Sequence, residues 1–207
     1  RIQIPAPSQE IAFDLLNIRY YTTTDSARGT LGLGERPRVL PRAYMVFASS
    51  VTRTGEESEA RMRELSFDPW TMAVVEDTLH TPLVPPAQEP VWHVTIDRYR
   101  NNTIEMTVET DHDGLLVLSE TYYPGWRAYV DQQPSSLFRT NYGLRGIPVP
   151  GGRHSVTCSF EPESFTRGLS ASLGTLGVCL AGMLISRRRS RSARTSGTTQ
   201  EAGPKKP

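Results

Sequence analysis

The chain has 207 residues, a formal net charge of +1, 37% apolar and 22% charged residues. These values suit one folded domain, or a domain with an appendage, and exclude a wholly disordered or collagen-like chain. Two cysteines exclude a disulfide framework and a four-cysteine zinc site, the near-zero charge argues against a polyanion binder, and a mean hydropathy of −0.40 argues against a protein made mostly of membrane helices.

Taken in chain order, Leu15 to Tyr21 and Tyr44 to Phe47 read as strands. Between them Gly29 to Glu35 (GTLGLGE) reads as a loop, because a GxG with no evident helix after it is too little for a phosphate cradle. A helix is predicted from Gly55 to Leu65. Thr54 and Glu57 match a capping box, and Glu57 to Arg61 and Glu59 to Arg63 are spaced as i,i+4 ion pairs. Pro69 ends that region, and Pro82, Pro85, Pro86 and Pro90 make a stiff connector.

Beyond the connector the period changes to two. Trp92, Val94 and Ile96 alternate with His93, Thr95 and Asp97, and Ile104, Met106 and Val108 alternate with Glu105, Thr107 and Glu109. These are half-buried strands, with Asn101-Asn102 as the hairpin turn. Leu115 to Leu118 is continuously apolar, which suits a strand covered on both faces, and Asp113-Gly114 turns into it. Pro124-Gly125 is a tight turn before a strand in which Trp126, Ala128 and Val130 alternate with Arg127, Tyr129 and Asp131. A last strand, His154 to Phe160, follows the turn Pro150-Gly151-Gly152. Seven or so strands and one short helix predict a mainly β, sandwich-like domain, and about 160 residues can bury an adequate core.

The net charge hides two opposite regions. Residues 187–207 carry +6 and residues 1–186 carry −5. Between them, Gly168 to Ile185 runs for 18 residues without a charge. As a helix it spans about 27 Å, enough for a bilayer core. Arg187, Arg188, Arg189, Arg191 and Arg194 follow at once, marking the cytoplasmic side. Small residues, including Gly177 and Ala181 four apart, suit packing against other membrane helices. The tail lacks apolar periodicity and reads as disordered, its arginines and lysines beside anionic lipid. No aromatic residue accompanies them, so nucleic acid is not expected as a partner.

The candidate chemistry is sparse. Asp111-His112-Asp113 is read as a turn rather than a metal cluster, because neighbours in a strand point to opposite faces. His80, His93 and His154 show no metal-ligand spacing, and no GxSxG, GxGxxG or Walker pattern occurs. Cys158 is expected in the core and Cys179 in the span. No catalytic residue, no metal site and no cofactor is assigned to this segment. Tyr122, Tyr123, Trp126 and Tyr129 are the one candidate binding set: they could offer a sugar ring an aromatic platform, although aromatic residues in a β-domain more often pack in the core.

Leu118 to Asp131 (LSETYYPGWRAYVD), with Leu16-Asn17-Ile18-Arg19-Tyr20, Leu40-Pro41-Arg42-Ala43-Tyr44, Phe67-Asp68-Pro69 and Val149 to His154 (VPGGRH), resembles the C-terminal part of the bacterial YfhO family. The resemblance covers roughly residues 12 to 185. Gln132-Gln133 departs from it, since the family commonly has Gly after the Asp. The resemblance implies a large polytopic membrane protein, similar to GT-C class glycosyltransferases, that takes a sugar from a polyprenyl-phosphate donor to modify envelope polymers. The acid that such enzymes use lies in an early extracytoplasmic loop, so no family catalytic residue maps onto this chain.

The expected organisation is an extracytoplasmic β-rich domain (1–163), a transmembrane helix (164–186) and a basic cytoplasmic tail (187–207). The chain opens on Arg1 rather than Met and reads as the end of a longer protein. Its expected partners are the lipid bilayer, other transmembrane helices of the same protein, and a polyprenyl-phosphate sugar and envelope polymer. The segment itself is expected to support or contact the acceptor rather than catalyse. The alternative is a membrane-anchored sandwich that binds envelope glycan or a protein; an independent hydrolase is least favoured, for want of paired carboxylates or a triad.

Overall fold

The structure, a computed structural model, describes residues 6–25, 29–76 and 83–195. It forms two separate compact units that meet in sequence at Glu161 and Pro162. His80, Pro82 and the last twelve residues of the predicted tail lie outside the described residues.

The first unit is mainly β. Its elements are α1 (Ala6–Leu15), β1 (Tyr20–Asp25), β2 (Thr30–Glu35), β3 (Ala43–Val46), β4 (Ala48–Thr52), α2 (Gly55–Met62), β5 (Met72–Glu76), β6 (Trp92–Arg100), β7 (Thr103–Thr110), β8 (Gly114–Leu118), β9 (Trp126–Val130), β10 (Gln133–Ser135), β11 (Phe138–Thr140), β12 (Leu144–Val149) and β13 (Gly152–Phe160). Three sheets result: β1-β2, β10-β9-β13-β7-β6, and β3-β8-β12-β11-β5-β4. The pairs are antiparallel except β4 with β5, which run parallel around α2.

The pleat explains the layers. Met45, Leu116, Leu118, Ile147 and Val149 of the six-stranded sheet meet Ile104, Met106, Val108, Ala128, Val156 and Cys158 of the five-stranded sheet in one core. The alternate residues of the six-stranded sheet, among them Tyr44, Val46, Ala73, Val75, Leu115 and Val117, point the other way. With Leu15, Leu40 and Leu144 they form a second core, against which Ile11, Met62 and Trp70 pack. The six-stranded sheet is therefore the middle of three layers, and β8 is buried at every residue, as its continuous apolar run requires. On the five-stranded sheet Glu105, Thr107 and Glu109 face outward, bonded to Arg98, Asp97 and Arg153.

Several sequence expectations need correction. Leu15 closes a helix instead of opening a strand; Asn17 turns the chain at a positive φ of 55°, and β1 begins only at Tyr20. Residues 30–35 of the Gly-rich stretch form strand β2 rather than a loop. Its glycines let the opposite strand lie flat: a Cβ on Gly34 would fall 2.5 Å from the Tyr21 ring, and one on Gly32 2.7 Å from Thr23 Oγ1. In α2 the cap is as expected, with Thr54 Oγ1 accepting from Glu57 N. Glu57 itself accepts from Arg53 N, so Arg61 pairs with Glu64 instead of Glu57. Glu59–Arg63 forms as read.

The second unit is one helix, α3 (Glu163–Thr195). Glu163–Leu184 is long and apolar enough to cross a membrane, with a mean hydropathy of 1.3 and none of that stretch buried. The hydroxyls of Ser170 and Thr175 donate to carbonyls one turn back, at Thr166 and Ala171. This satisfies them within the helix, as a span in lipid requires. Residues 187–195, read from the sequence as disordered, continue the helix. Arg and Ala favour helix, and adding residues to a formed helix avoids the nucleation penalty.

Candidate binding site

The Leu118–Trp126 connection is tied down at three points. Arg145 Nε donates to Thr121 O at 2.9 Å, Tyr122 N donates to Gly143 O at 2.7 Å, and Glu161 N donates to Gly125 O at 2.6 Å. Gly125 takes φ 107°, which favours glycine strongly. The turn thereby delivers Trp126 to the first residue of β9.

The four aromatic residues then diverge. Trp126 lies on the core face of β9 with Ala128 and Val130. The Arg145 guanidinium stacks over its ring at 3.8 Å, and the Phe160 ring packs against it at 5.5 Å. Tyr123, largely exposed, extends that row, 6.3 Å from Phe160. Tyr129 lies on the opposite face of β9, as period two dictates, and its hydroxyl donates to Glu161. Tyr122 lines a separate cleft, between β4, the start of α2 and β11. The structure thus brings Tyr123 and Trp126 together through Phe160, and does not bring Tyr122 or Tyr129 to the same surface.

Arg145 is the residue the sequence reading missed. It sits in β12, 5% exposed, with Nη1 buried and without a hydrogen-bond partner among the described residues. Burial lowers its pKa, opposed by Glu120 among its neighbours. Glu120 in turn accepts from the Tyr99 hydroxyl at 2.7 Å and faces Arg42 at 3.6 Å. That hydrogen bond to a carboxylate raises the Tyr99 pKa. Nothing local in LRGIPV announces an inward arginine; the signal is its register beside Trp126 across two sheets.

Two further blocks of the recognised pattern meet in space. His154 Nδ1 lies 2.6 Å from Asp131 Oδ2, and Asp131 Oδ1 accepts from Ser155 N at 2.9 Å. The pairing with Asp131 raises the His154 pKa, and the same bond lowers that of Asp131. Gly152 makes room for this ring: its φ is 134°, and a Cβ there would fall 2.9 Å from His154 Nε2. Asp131 and Gln132, at φ 50° and 68°, form the left-handed turn from β9 to β10.

Asp111 to Asp113 form a turn, as read. Asp111 Oδ1 accepts from Val91 N at 3.1 Å and lies 2.8 Å from His112 Nδ1, while Asp113 Oδ1 accepts from Gly151 N at 2.7 Å. Among the described residues no three His, Cys, Asp or Glu side chains gather as metal ligands. Cys158 is fully buried, which pushes its thiol up to about 11, and Cys179 lies in α3.

Residues 87–172 match the model of the family described as bacterial membrane protein YfhO. No curated protein and no solved structure matches the chain. The matched stretch begins just before β6, takes in β6 to β13, and ends inside α3. The match and the apolar helix together give a membrane protein.

Proposed function

Since the chain matches the YfhO family of bacterial membrane proteins over residues 87–172, we propose that it serves a membrane glycosyltransferase that uses a polyprenyl-phosphate-linked sugar to modify cell-envelope polymers. In this reading the β-unit is extracytoplasmic and supports the site or contacts the acceptor, α3 packs with other membrane helices, and the basic end is cytoplasmic. The observation that carries it is the extent of the match: one family segment includes the whole five-stranded sheet, three strands of the six-stranded sheet and the start of the apolar helix. The charge asymmetry, −5 before residue 187 and +6 after it, supports the sidedness. The aromatic and carboxylate-bearing surfaces of the β-unit are the kind that meet a polyol acceptor.

The test is transfer from a polyprenyl-phosphate-linked sugar to envelope polymer, in membranes containing the intact protein or a version lacking residues 6–161. Loss of acceptor choice or rate in the truncated version is expected. Unchanged choice and rate would overturn a supporting or acceptor-contacting role.

A further inference from the structure

The cleft that Tyr122 lines has a volume of about 750 Å³ and opens between the end of β4, the first turn of α2, the end of β5 and β11. That size lies within the range of small-ligand sites, roughly 300–1,000 Å³. Its walls carry Arg53, Glu57, Glu76 and Arg139 beside Tyr122, while the neighbouring Phe138 packs against the second core.

Strand register places these charges. Glu76 of β5 stands opposite Arg139 of β11, and its Oε2 lies 3.4 Å from Arg139 Nη1. The Glu76 side chain is 12% exposed, and its Oε1 is buried without a hydrogen-bond partner among the described residues. A carboxylate has about four acceptor positions, so most of the capacity of Glu76 is unused. Buried polar atoms are ordinarily satisfied, and an exception asks for an explanation. Arg139 is held from the other side, donating from Nε to Tyr142 O at 2.8 Å, with its guanidinium over the Tyr142 ring. The Tyr122 backbone is fixed by its bond to Gly143.

The charges cancel in pairs: Arg53 and Arg139 against Glu57 and Glu76. An anionic ligand would meet the two carboxylates beside an α2 first turn that also holds Glu56. A metal ion would meet the two guanidinium groups. What the walls suit is an uncharged molecule with many hydroxyls and an apolar ring face. Its O–H groups donate to carboxylate, its oxygens accept from guanidinium, and its C–H face covers an aromatic ring.

We propose that this cleft binds a neutral sugar residue, with Glu76 and Arg139 as its polar anchors and Tyr122 as its apolar wall. It deepens the acceptor-contacting reading above, and rests on that reading only for which envelope glycan is met in the cell.

The test is binding by the full chain in lipid nanodiscs to an array of neutral hexose and N-acetylhexosamine oligosaccharides, with sulfated and phosphorylated glycans on the same array. Binding to at least one neutral oligosaccharide is expected, with no preference for the anionic ones. Glu76→Gln and Arg139→Gln should each weaken it about tenfold or more, the worth of one lost charged hydrogen bond. Glu105→Gln, on the outer face of the five-stranded sheet, should leave it unchanged. Arg53→Ala alters an exposed rim residue and should weaken binding severalfold, so it carries the test if the Glu76 variant melts early. Absence of neutral-glycan binding, preference for anionic glycans, or wild-type affinity in both Glu76→Gln and Arg53→Ala would overturn the proposal. No donor is present, so a protein that binds but does not transfer sinks only the transferase reading. A protein that transfers while its cleft binds nothing sinks only this one.

Discussion

Replacing Trp126 with alanine separates a packed ring from an open platform. A fully buried Trp costs about 3–5 kcal/mol on truncation. Trp126 is half-buried, so roughly 2–3 kcal/mol is expected from packing lost against the first core and Phe160. The stack with Arg145 at 3.8 Å is shielded from water, and such contacts are worth about 2 kcal/mol. The sum, about 4–5 kcal/mol, is a large share of the 5–15 kcal/mol typical of a domain. It corresponds to roughly 8–20 °C in melting temperature for a unit of this size. Urea and thermal melts of the full chain in detergent, followed in the β-sheet band of far-ultraviolet circular dichroism, measure it. Trp126→Phe should lose about half as much. A cycle with Arg145→Met isolates the stack and should give a coupling of about 1–2 kcal/mol. Arg145→Met alone should cost less than its contacts suggest, because it also removes a buried charge whose Nη1 is unpartnered. A loss under about 1 kcal/mol for Trp126→Ala, with coupling near zero, would refute the packing and return Trp126 to the surface as a free ring.

The Asp131–His154 pair makes stability depend on pH in a bounded window. His154 is raised from 6.5, so its contribution is full below that value and is lost as pH climbs through the higher folded value. Asp131 is lowered from 3.8, so its contribution is full above that value and is lost as pH falls through the lower folded one. The melting-temperature gap between the native protein and His154→Gln should therefore be widest between about pH 4 and 6.5 and narrow toward pH 8.5; a gap constant across that range would refute the pairing. Gln132→Gly should raise stability by up to about 1 kcal/mol, because Gln132 holds a left-handed φ of 68° that glycine adopts freely. A melting temperature that falls in Gln132→Gly would show that the Gln side chain matters more than its backbone.

What was legible in the sequence follows from how each element is buried. Period two betrayed β6, β7, β9 and β13 because one face of the five-stranded sheet is wet. The unbroken run Leu115–Leu118 betrayed β8 because both its faces are covered. β12 stayed hidden: LRGIPV contains Gly, Pro and Arg, each of which argues against a strand. The structure gives two of them reasons. A Cβ on Gly146 would fall 2.2 Å from Thr140 Oγ1, and Arg145 is drawn inward by Trp126 and the Thr121 carbonyl. The same difficulty hid β2, whose glycines face Tyr21 and Thr23. The β4–α2–β5 unit was read only as a helix, because five-residue strands carry little periodicity.

The candidate site divides along the same line. Most of the recognised pattern concerns the fold: Pro-Gly sets the turn, Trp126 receives Arg145, Asp131 meets His154, and Gly152 clears the space that His154 fills. These residues hold β9 against β13 and fasten the connection to β12. Their presence carries the resemblance to the family without locating a ligand. The unused polar capacity lies elsewhere, at Glu76 and Arg139, which come from short strands that no pattern marked. Tyr122 is the one residue that belongs to both groups, since its backbone is part of the fastened turn and its ring lines the cleft. Substitutions at Trp126, Asp131 or His154 should therefore change stability first, and glycan binding only as far as the turn moves. Substitution of the exposed Arg53 should change binding at constant stability. Tyr122→Ala should do both, and the ratio of the two effects measures how closely the fold of this connection and the occupancy of the cleft are coupled.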